Sequence, residues 1–319
     1  SLFFTGVTYA STLNYTAIVG IDTLGIPNGF YSMLLMAASL VGAAASVILG
    51  YISDKVPDRR ILVIGCALMG ALGFGLIFVF RSPVAFVVAI GVIMPFGGAL
   101  FSQSFSFARA YNNIHNPSRA EFLTSMLRTI FSVAWVIVPP FVGWYAGATT
   151  VFNAYGIAAL AYLVCAAIFA VLLRNPDAKV GMASSKAGQP AILAKARIDP
   201  AIVGGIVGVA LINTAIQLRT VAIPLLVTST LKGSFADLGI VAGLAAALEL
   251  PFMVAWGYAL RRFSKHTIII CGALLYAAYL VLISRAGSVI EVMWLQLLNG
   301  PATAALLTIP ISYLQDAIK

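Results

Sequence analysis

The stretch Gly50-Tyr51-Ile52-Ser53-Asp54-Lys55, which is followed by Arg59-Arg60, decides the fold of this chain. It lies between two long apolar runs, and a shorter version returns 207 residues later as Gly257-Tyr258-Ala259-Leu260-Arg261-Arg262. Short charged hairpins between apolar spans are typical of the cytoplasmic side of a membrane. Two such hairpins, each opening a new apolar run, predict a membrane protein that is built from two similar halves.

The composition also indicates a membrane location. Hydrophobic residues make up 61% of the chain, charged residues 9%, and the mean hydropathy is +1.01. A soluble domain carries about 25% charged residues and has no room to hide so many apolar side chains. The three cysteines, Cys66, Cys165 and Cys271, lie inside apolar runs, and their spacing fits neither a zinc site nor a disulfide framework. We therefore predict no metal and no cofactor.

Ten apolar stretches are long enough, at about 20 residues, to cross a bilayer. Because lipid offers no hydrogen bonds, each is expected to be a helix whose backbone bonds to itself. The predicted spans cover residues 1–20, 28–52, 60–80, 84–110, 122–147, 151–173, 200–228, 234–258, 266–284 and 290–315.

The distribution of basic residues predicts the orientation. Of the 19 Lys and Arg residues, 14 fall in the hairpins that follow even-numbered spans. Arg81, Lys232 and Arg285 fall on the opposite side, and Arg128 and Arg219 lie within spans. Basic loops stay in the cytoplasm, so the even-numbered hairpins are predicted to be cytoplasmic. The net charge of +9 is therefore a signal of topology, and a nucleic-acid partner is excluded.

The spans divide into two bundles around one polar segment. Residues 1–173 form a predicted six-helix bundle, and residues 174–199 form a flexible cytoplasmic linker rich in Gly, Ser, Pro and Lys. Residues 200–319 form a second bundle with four helices. Two matched halves need six helices each, so two C-terminal helices are expected to be missing. Duplicated bundles that rock against each other are an architecture of transporters.

The Gly-x-x-x-Asp-Lys … Arg-Arg hairpin from Gly50 to Arg60 resembles the hallmark of the major facilitator superfamily. The additional acid Asp58 resembles the version found in its sugar efflux transporter (SET) family. Pro57 and Val138 depart from that pattern, because a Gly is usual at both positions. Further resemblances follow in order: Phe107-Ala108-Arg109 in span 4, Leu127-Arg128 … Ala134-Trp135-Val136-Ile137 … Pro139-Pro140 in span 5, Leu248-Glu249-Leu250-Pro251 in span 8, and Leu295-Gln296-Leu297-Leu298-Asn299 and Tyr313-Leu314-Gln315-Asp316 in span 10.

The resemblance implies an all-α membrane protein with the major facilitator fold, of which about 10 of 12 transmembrane helices are present. It implies outward transport of sugars or sugar analogues, in exchange for protons, across the inner membrane of a bacterium. A drug or amino-acid exporter on the same fold is the first alternative, and a non-transporting receptor or scaffold is the second. The sequence contains no Walker loop and no nucleophile placed beside a base, so we predict that it is not an enzyme.

Ionisable residues within spans are expensive in lipid and are therefore functional candidates. Glu249 lies eight residues before Gly257, about 12 Å along a helix from the second hairpin. Its short side chain cannot reach the surface, so it faces a cavity, pairs with a cation or takes up a proton. We predict that Glu249 couples transport to protons, with Arg219 as its partner. Arg128 is a further candidate for proton coupling or a charge pair, and fixed ion pairs between helices are the alternative.

Sugars need hydrogen-bond partners for their hydroxyl groups, and side-chain amides supply both donors and acceptors. The resemblance implies a cavity lined mainly by helices 1, 4, 7 and 10, and each of these carries amides here. Hydrogen bonds between helices are the alternative role for each amide. The predicted substrate-binding residues are Asn14, Gln103, Asn213, Gln217, Arg219, Gln296 and Asn299.

The first hairpin is predicted to stabilise one conformation through helix ends and charge pairs, and a purely topological role for its charges is the alternative. The Gly-rich and Pro-rich pieces Pro95-Phe96-Gly97-Gly98 and Pro139-Pro140 are predicted to permit helix bending or close packing. The candidate residues of this conformational hairpin are Gly50, Asp54, Lys55, Arg59 and Arg60.

Overall fold

The computed structural model describes residues 1–180 and 200–317, apart from the side chains at 54, 121, 200–202, 311 and 314–317. In these parts the secondary structure is helical, with short turns between helices and without β-strands. Nine helices within these ranges are long and apolar enough to cross a membrane. The all-α membrane class expected from the sequence is confirmed.

The first 180 residues contain eight α-helices. Polar residues define some of their starts: the side chain of Asp58 accepts a hydrogen bond from the amide of Arg60, and that of Ser82 accepts one from Ala85. The helices are α1 (Leu2–Thr12), α2 (Asn28–Lys55), α3 (Arg59–Phe80), α4 (Pro83–Val88), α5 (Met94–Gly97), α6 (Leu100–His115), α7 (Ala120–Ala148) and α8 (Asn153–Leu172), with π-helices at Ile18–Thr23 and Ala89–Ile93 and 3-10 helices at Pro117–Arg119 and Pro176–Ala178.

The second part contains four long helices. Ser234 and Asp237 form a capping box at the start of one helix, and Ser264 caps the next. These helices lie within a few residues of the predicted spans. They are α9 (Pro200–Leu225), which continues as a π-helix at Leu226–Thr230, α10 (Phe235–Ala259), α11 (Lys265–Ile283) and α12 (Val289–Ala317).

The first predicted span, residues 1–20, is not one continuous helix. Helix α1 ends at Thr12, an irregular turn covers residues 13–15, and a π-helix follows at Ile18–Thr23. The hydroxyl of Thr12 donates to the carbonyl of Thr8 at 3.1 Å, and that of Thr16 donates to the carbonyl of Thr12 at 2.9 Å. Hydroxyl groups that bond back to the preceding turn bend helices, which accounts for the interruption in this Thr-rich stretch.

The fourth predicted span, residues 84–110, is bent. It consists of α4, a π-helix, α5 and α6, with a turn at residues 98–99 shortly after Pro95. The hydroxyl of Tyr9 donates to the carbonyl of Gly98 at 2.5 Å, and that of Tyr162 donates to the carbonyl of Gly97 at 3.3 Å. Side chains of other helices thus satisfy carbonyl groups at the bend. The bending predicted for this Pro- and Gly-containing piece is confirmed.

The described chain forms two compact units. Unit 1 contains Ser1–Ala134 with the described part of Ala148–Ile192, and unit 2 contains Trp135–Gly147 with the described part of Leu193–Lys319. In unit 1, α8 packs against α1 and α3. In unit 2, α12 packs against α10 and α11, and the indole nitrogen of Trp256 donates to the carbonyl of Pro301 at 2.8 Å.

Within unit 2, α7 and α10 touch through two glycines and two prolines. A Cβ atom added to Gly243 would lie 2.7 Å from Cγ of Pro140 and 2.8 Å from the carbonyl oxygen of Val136. A Cβ atom at Gly239 would meet the backbone of Pro139 at still shorter range. Since Pro140 has no N–H, it leaves the Val136 carbonyl without its helical partner. The close packing predicted for the paired prolines is confirmed, and it depends on the two glycines.

Candidate functional site

A half-buried charge cluster in unit 2 joins three helices. Arg219 on α9 and Glu249 on α10 are both half-buried, and the positive charge of Arg219 acts on the Glu249 carboxyl. Arg219 also interacts electrostatically with the hydroxyl of Tyr276, which lies on α11. That hydroxyl donates to the carbonyl of Ala215 at 3.4 Å, one turn before Arg219. The side chain of a helical residue leans towards the preceding turn of its helix. The side chain of Arg219 therefore lies near Ala215, where the Tyr276 hydroxyl is also found.

The fourth helix of unit 2 brings two amides near this cluster. A Cβ atom added to Gly300 would lie 2.7 Å from Cβ of Leu248 and 3.4 Å from the nitrogen of Glu249, so α12 closely approaches α10 there. The amide of Asn299 donates to the side-chain oxygen of Gln296 at 2.8 Å, and Gln296 donates to the carbonyl of Val292 at 2.9 Å. Gln296 is 0% and Asn299 1% exposed. Both lie in the interior of the unit, as an amide pair on one helix face.

The two amides of α9 lie on the surface of unit 2. Asn213 and Gln217 are exposed, and Asn213 donates to the carbonyl of Val209 on its own helix at 2.9 Å. Arg219 lies two residues after Gln217 and is half-buried. This helix therefore presents amides outwards while its arginine turns towards Glu249 and Tyr276.

The candidates of the first unit lie on different helical segments. Gln103 on α6 is buried in the interior, beside Ser104, whose hydroxyl has no hydrogen-bond partner in the described structure. Asn14 lies in the irregular turn at residues 13–15 and is half-buried, and its amide nitrogen likewise lacks a described partner. Arg128 on α7 is exposed.

An aromatic cluster on α6 and α7 was missed by the sequence reasoning. The ring centres of Phe101 and Phe105 lie 4.8 Å apart, Phe101 and Phe131 lie 4.8 Å apart, and Phe105 and Phe131 lie 6.1 Å apart. The guanidinium of Arg128 lies 6.0 Å from the centre of the Phe105 ring. The spacing of Phe101 and Phe105, four residues apart on one helix face, was the available signal. Tyr276 was also missed, because its partner Arg219 comes from a helix distant in sequence.

The two related hairpins place cations over tyrosine rings. The Lys55 nitrogen lies 4.0 Å from the centre of the Tyr51 ring, and the Arg261 guanidinium lies 5.0 Å from that of Tyr258. Gly50, which precedes Tyr51, has open space around its added Cβ atom. The side chain of Asp54 lies outside the described part of the structure. Each hairpin thus has a cation over its tyrosine ring, although the offset of 207 residues aligns Lys55 with Arg262 rather than with Arg261.

The basic residues at the start of α3 bind other parts of unit 1. Arg59 donates to the hydroxyl of Ser106 on α6 at 3.1 Å, and its amide donates to the carbonyl of Val180 at 3.2 Å. The guanidinium of Arg60 forms a forked pair with the Asp58 carboxylate, with a shortest distance of 2.7 Å. It also donates to the carbonyls of Leu172 at 2.6 Å and Asn175 at 2.7 Å.

These contacts hold the end of α8 and the residues after it against the first hairpin. Val180 is fully buried there, whereas residues 181–199 of the predicted linker lie outside the described residues. Burial alone raises the pKa of the Asp58 carboxyl, but the hydrogen bonds and charge of Arg60 outweigh it and hold the pKa below its ordinary value. The Asp58–Arg60 pair therefore favours the ionised carboxylate.

Replacing Arg60 with Ala is expected to destabilise the protein by about 3–5 kcal/mol, because a buried carboxylate and two carbonyls lose their partner. The folded pKa of Asp58 lies below that of an unfolded chain, which is about 3.9. Its contribution is therefore complete above that pH and is lost as the pH falls through the folded value. Thermal unfolding in detergent should show a difference between the unaltered protein and the variant at pH 7 that shrinks below about pH 4.

Arg261→Ala is the matched control, because Arg261 occupies the related hairpin and is exposed. It should change the unfolding midpoint little. Equal effects of the two substitutions, or a difference that persists unchanged at low pH, would contradict the role given to the Asp58–Arg60 pair.

No group of three His, Cys, Asp or Glu side chains in the described ranges is arranged to hold a metal ion. The chemistry that the clusters do support is charge compensation and hydrogen bonding within a membrane. Charged groups in such positions are typical of ion and substrate pathways.

Comparison with known proteins assigns the family. The family model of the Major Facilitator Superfamily matches residues 1–318. Sugar efflux transporter B of Salmonella typhimurium is 26% identical over 315 residues, which cover 98% of this chain and 78% of that protein. Sugar efflux transporter C of Escherichia coli K12 is 27% identical over 322 residues, which cover 98% of this chain and 79% of that protein.

Solved structures agree on the fold. The nucleoside transporter NupG superposes with a TM-score of 0.76 at 14% identity, covering 99% of this chain and 82% of that chain. A bacterial homologue of the human lysosomal transporter Spinster gives 0.67 at 13% identity, covering 97% and 74%. The major facilitator fold and the resemblance to sugar efflux transporters, both expected from the hairpin, are confirmed, and the matched proteins are transporters rather than enzymes. The chain belongs to the major facilitator superfamily.

Proposed function

We propose that this membrane transporter moves sugars or sugar analogues outwards in exchange for protons, by alternating access. The observation that carries the proposal is the cluster of Arg219, Glu249 and Tyr276 inside the spans of a chain that resembles sugar efflux transporters along 98% of its length. Fixed charge inside a bilayer is costly, and a cluster of this kind is retained where it serves an ion or substrate pathway.

Glu249 is the proposed proton carrier. Burial disfavours the charged form of a carboxyl and a nearby cation favours it, so the protonation of such a group depends on whether water reaches it. Arg219 balances the ionised carboxylate, and Tyr276 holds the guanidinium when the carboxyl is neutral. Rocking of two bundles about a central site exposes such a group to one side of the membrane at a time.

The proposed substrate contacts divide by exposure. Asn213 and Gln217 lie on the exposed surface of α9 and are available to hydroxyl groups of a solute. Gln296 and Asn299 are buried, and we assign them to the support of α12 beside Glu249. Asn14 and Gln103 are proposed as the contribution of the first bundle to substrate binding, and Arg128 is proposed as a further group for proton coupling or a charge pair.

The proposed topology places the even-numbered hairpins in the cytoplasm of a bacterium, with the transporter in the inner membrane. We propose bundles at residues 1–173 and 200–319, joined by a linker at 174–199. Lys55, Arg59 and Arg60, together with Asp54 and Gly50, are proposed to stabilise one conformation. Arg59 and Arg60 support this through their contacts with α6 and α8.

The test is transport by the full-length protein in proteoliposomes. Labelled glucose, lactose and methyl β-glucoside are offered with and without an imposed pH gradient, beside protein-free liposomes. We expect at least one sugar to accumulate against its gradient when the proton gradient is imposed in the opposing direction. Sugar movement that is unaffected by the pH gradient would reject proton coupling. Absence of any sugar movement would reject sugars as the substrate class.

A drug or amino-acid exporter is the second candidate. The exposed aromatic rings of α6 and α7 favour it, because apolar drugs bind to aromatic surfaces. Ethidium and a labelled amino acid in the same liposome assay separate the two functions. Movement of ethidium without movement of any sugar would support the second candidate. The remaining rival, a receptor or scaffold, would move none of these solutes.

A further inference from the structure

The turn between α10 and α11 carries two exposed arginines. Arg261 and Arg262 are both exposed, and within the described residues neither guanidinium pairs with a carboxylate. The sequence contains no acidic residue between Glu249 and Glu291, so the whole hairpin is basic. The turn therefore presents positive charge that is available to an anionic partner.

The related hairpin before α3 uses its arginines differently. Arg59 and Arg60 are only 7% and 3% exposed. They bind the hydroxyl of Ser106 and the carboxylate of Asp58 within unit 1. An arginine pair in the same kind of hairpin is thus engaged in internal bonds in unit 1 and exposed in unit 2. Internal support of the fold accounts for the first pair but not for the second.

The backbone of the turn holds the two exposed arginines on one face. The amides of Arg261 and Arg262 donate to the carbonyls of Tyr258 and Ala259 at 3.1 and 2.9 Å, respectively. Residues three and four positions after Tyr258 share its face of a helical turn. The guanidinium of Arg261 lies 5.0 Å from the centre of the Tyr258 ring, in agreement with this placement. An ordered turn lowers the entropy cost of binding a ligand.

The start of α11 is fixed as well. The hydroxyl of Ser264 accepts a hydrogen bond from the amide of Thr267 at 3.1 Å. The side chain of Lys265 donates to the carbonyl of Ser312 on α12 at 3.2 Å. Lys265 therefore adds a third positive charge close to the arginines in the chain, at a position that is anchored to α12.

The turn lies at the level where lipid headgroups meet acyl chains. The apolar span Phe235–Ala259 ends just before it, and the span Lys265–Ile283 begins just after it. Tyr258 is 63% and Phe263 is 57% exposed. Exposed aromatic rings at the end of a span are typical of the membrane interface, where they contact both acyl chains and headgroups. We call Tyr258, Arg261, Arg262 and Phe263 the hairpin patch.

We propose that the hairpin patch binds an anionic phospholipid, with the two guanidinium groups at its phosphate and Phe263 among its acyl chains. A guanidinium presents a planar fork of donors that matches phosphate oxygens. Basic clusters directly beside a membrane-spanning helix bind anionic lipids of the cytoplasmic leaflet, and the distribution of Lys and Arg predicts that this hairpin is cytoplasmic. A soluble phosphate would make no use of the exposed rings, so the occupant is a lipid. The inference does not depend on which solute the protein moves.

The test is native mass spectrometry of the full-length protein in detergent, titrated with phosphatidylglycerol or phosphatidylcholine of the same acyl chains. The first is anionic and the second zwitterionic. The tightest-bound phosphatidylglycerol should bind about tenfold to thirtyfold more tightly than phosphatidylcholine, since each basic residue near the headgroup contributes about a factor of five. Joint substitution of Arg261→Gln and Arg262→Gln should abolish this preference. Phe263→Ala should weaken the binding of both lipids by similar factors.

Joint substitution of Arg119→Gln and Arg174→Gln is the matched control. Both arginines are exposed, both belong to other hairpins on the predicted cytoplasmic side, and the change in charge is the same. This control should keep the preference for phosphatidylglycerol. A loss that is equal in the control and in the hairpin variant would show a general effect of charge and overturn the site.

Thermal unfolding in detergent supplies a second measurement. Without added lipid, the Arg261→Gln and Arg262→Gln variant should unfold at the midpoint of the unaltered protein, because both side chains are exposed. Phosphatidylglycerol should raise the midpoint of the unaltered protein but not that of the variant. Equal binding of the two lipids, or a preference that survives in the variant, would overturn the proposal. Displacement of the lipid by glycerol phosphate at equal concentration would assign the patch to a soluble phosphate instead.

Discussion

Replacing Glu249 with Gln is expected to abolish the effect of a pH gradient on sugar transport while leaving exchange of sugar for sugar intact. Gln has nearly the same size and still bonds to its surroundings, but it cannot gain or lose a proton. If one proton exchanges for one sugar, a gradient of one pH unit sustains a sugar concentration ratio of about ten. The variant should sustain a ratio of about one, because sugar movement is then no longer coupled to proton movement.

The measurement is the steady-state ratio of labelled sugar across proteoliposome membranes, beside the rate of sugar-for-sugar exchange. Glu291→Gln is the matched control in the same unit. Glu291 is exposed and accepts a hydrogen bond from the amide of Gly287 at 2.9 Å, a bond that the oxygen of Gln can also accept. It should retain the full ratio. A tenfold ratio in Glu249→Gln would reject the coupling role of Glu249.

Replacing Gly239 with Leu is expected to cause a large loss of stability and of transport. Its first side-chain carbon would run into the backbone of Pro139, and backbone cannot move aside as a flexible side chain can. Overpacking of this kind costs roughly 1–3 kcal/mol, and more where a helix has to shift. We expect the thermal unfolding midpoint in detergent to fall by several degrees and transport to fall at least about tenfold.

Gly208→Leu provides the control, because Gly208 lies within a span of α9 with open space around its added Cβ atom. It should leave the unfolding midpoint and transport nearly unchanged, since leucine has a higher helix propensity than glycine. Gly243→Leu should repeat the effect of Gly239→Leu, as both glycines contact the paired prolines. Tolerance of leucine at both positions would show that α7 and α10 do not need this contact.

The fold was largely predictable because the bilayer simplifies the problem. An apolar run of about 20 residues has to be a helix, so nine of the ten predicted spans correspond to long apolar helices in the described chain. The exception, residues 1–20, is interrupted where Thr hydroxyls bond to the preceding turn. A hydropathy profile cannot predict this interruption, because it assigns Thr the same nearly neutral value whichever group its hydroxyl bonds to.

The candidate site was only partly predictable, because the sequence does not say which helices meet. The spacing of Gln296 and Asn299 correctly placed them on one helix face, where they bond to each other. It did not reveal that the face is buried. Arg219 was identified as a charge near Glu249, but Tyr276 comes from a third helix, 57 residues further along the chain than Arg219. Residues that act through such contacts become visible only once the helices are packed.

The two tyrosine hydroxyls at the bend before α6 have a mechanical consequence. Tyr9 on α1 and Tyr162 on α8 donate to the carbonyls of Gly98 and Gly97, where lipid can supply no substitute. If the tilt of α6 changes, either α1 and α8 move with it or a carbonyl group loses its hydrogen-bond partner within the hydrocarbon. The three helices are therefore expected to move together as one rigid group, so that displacement of one of them displaces all three.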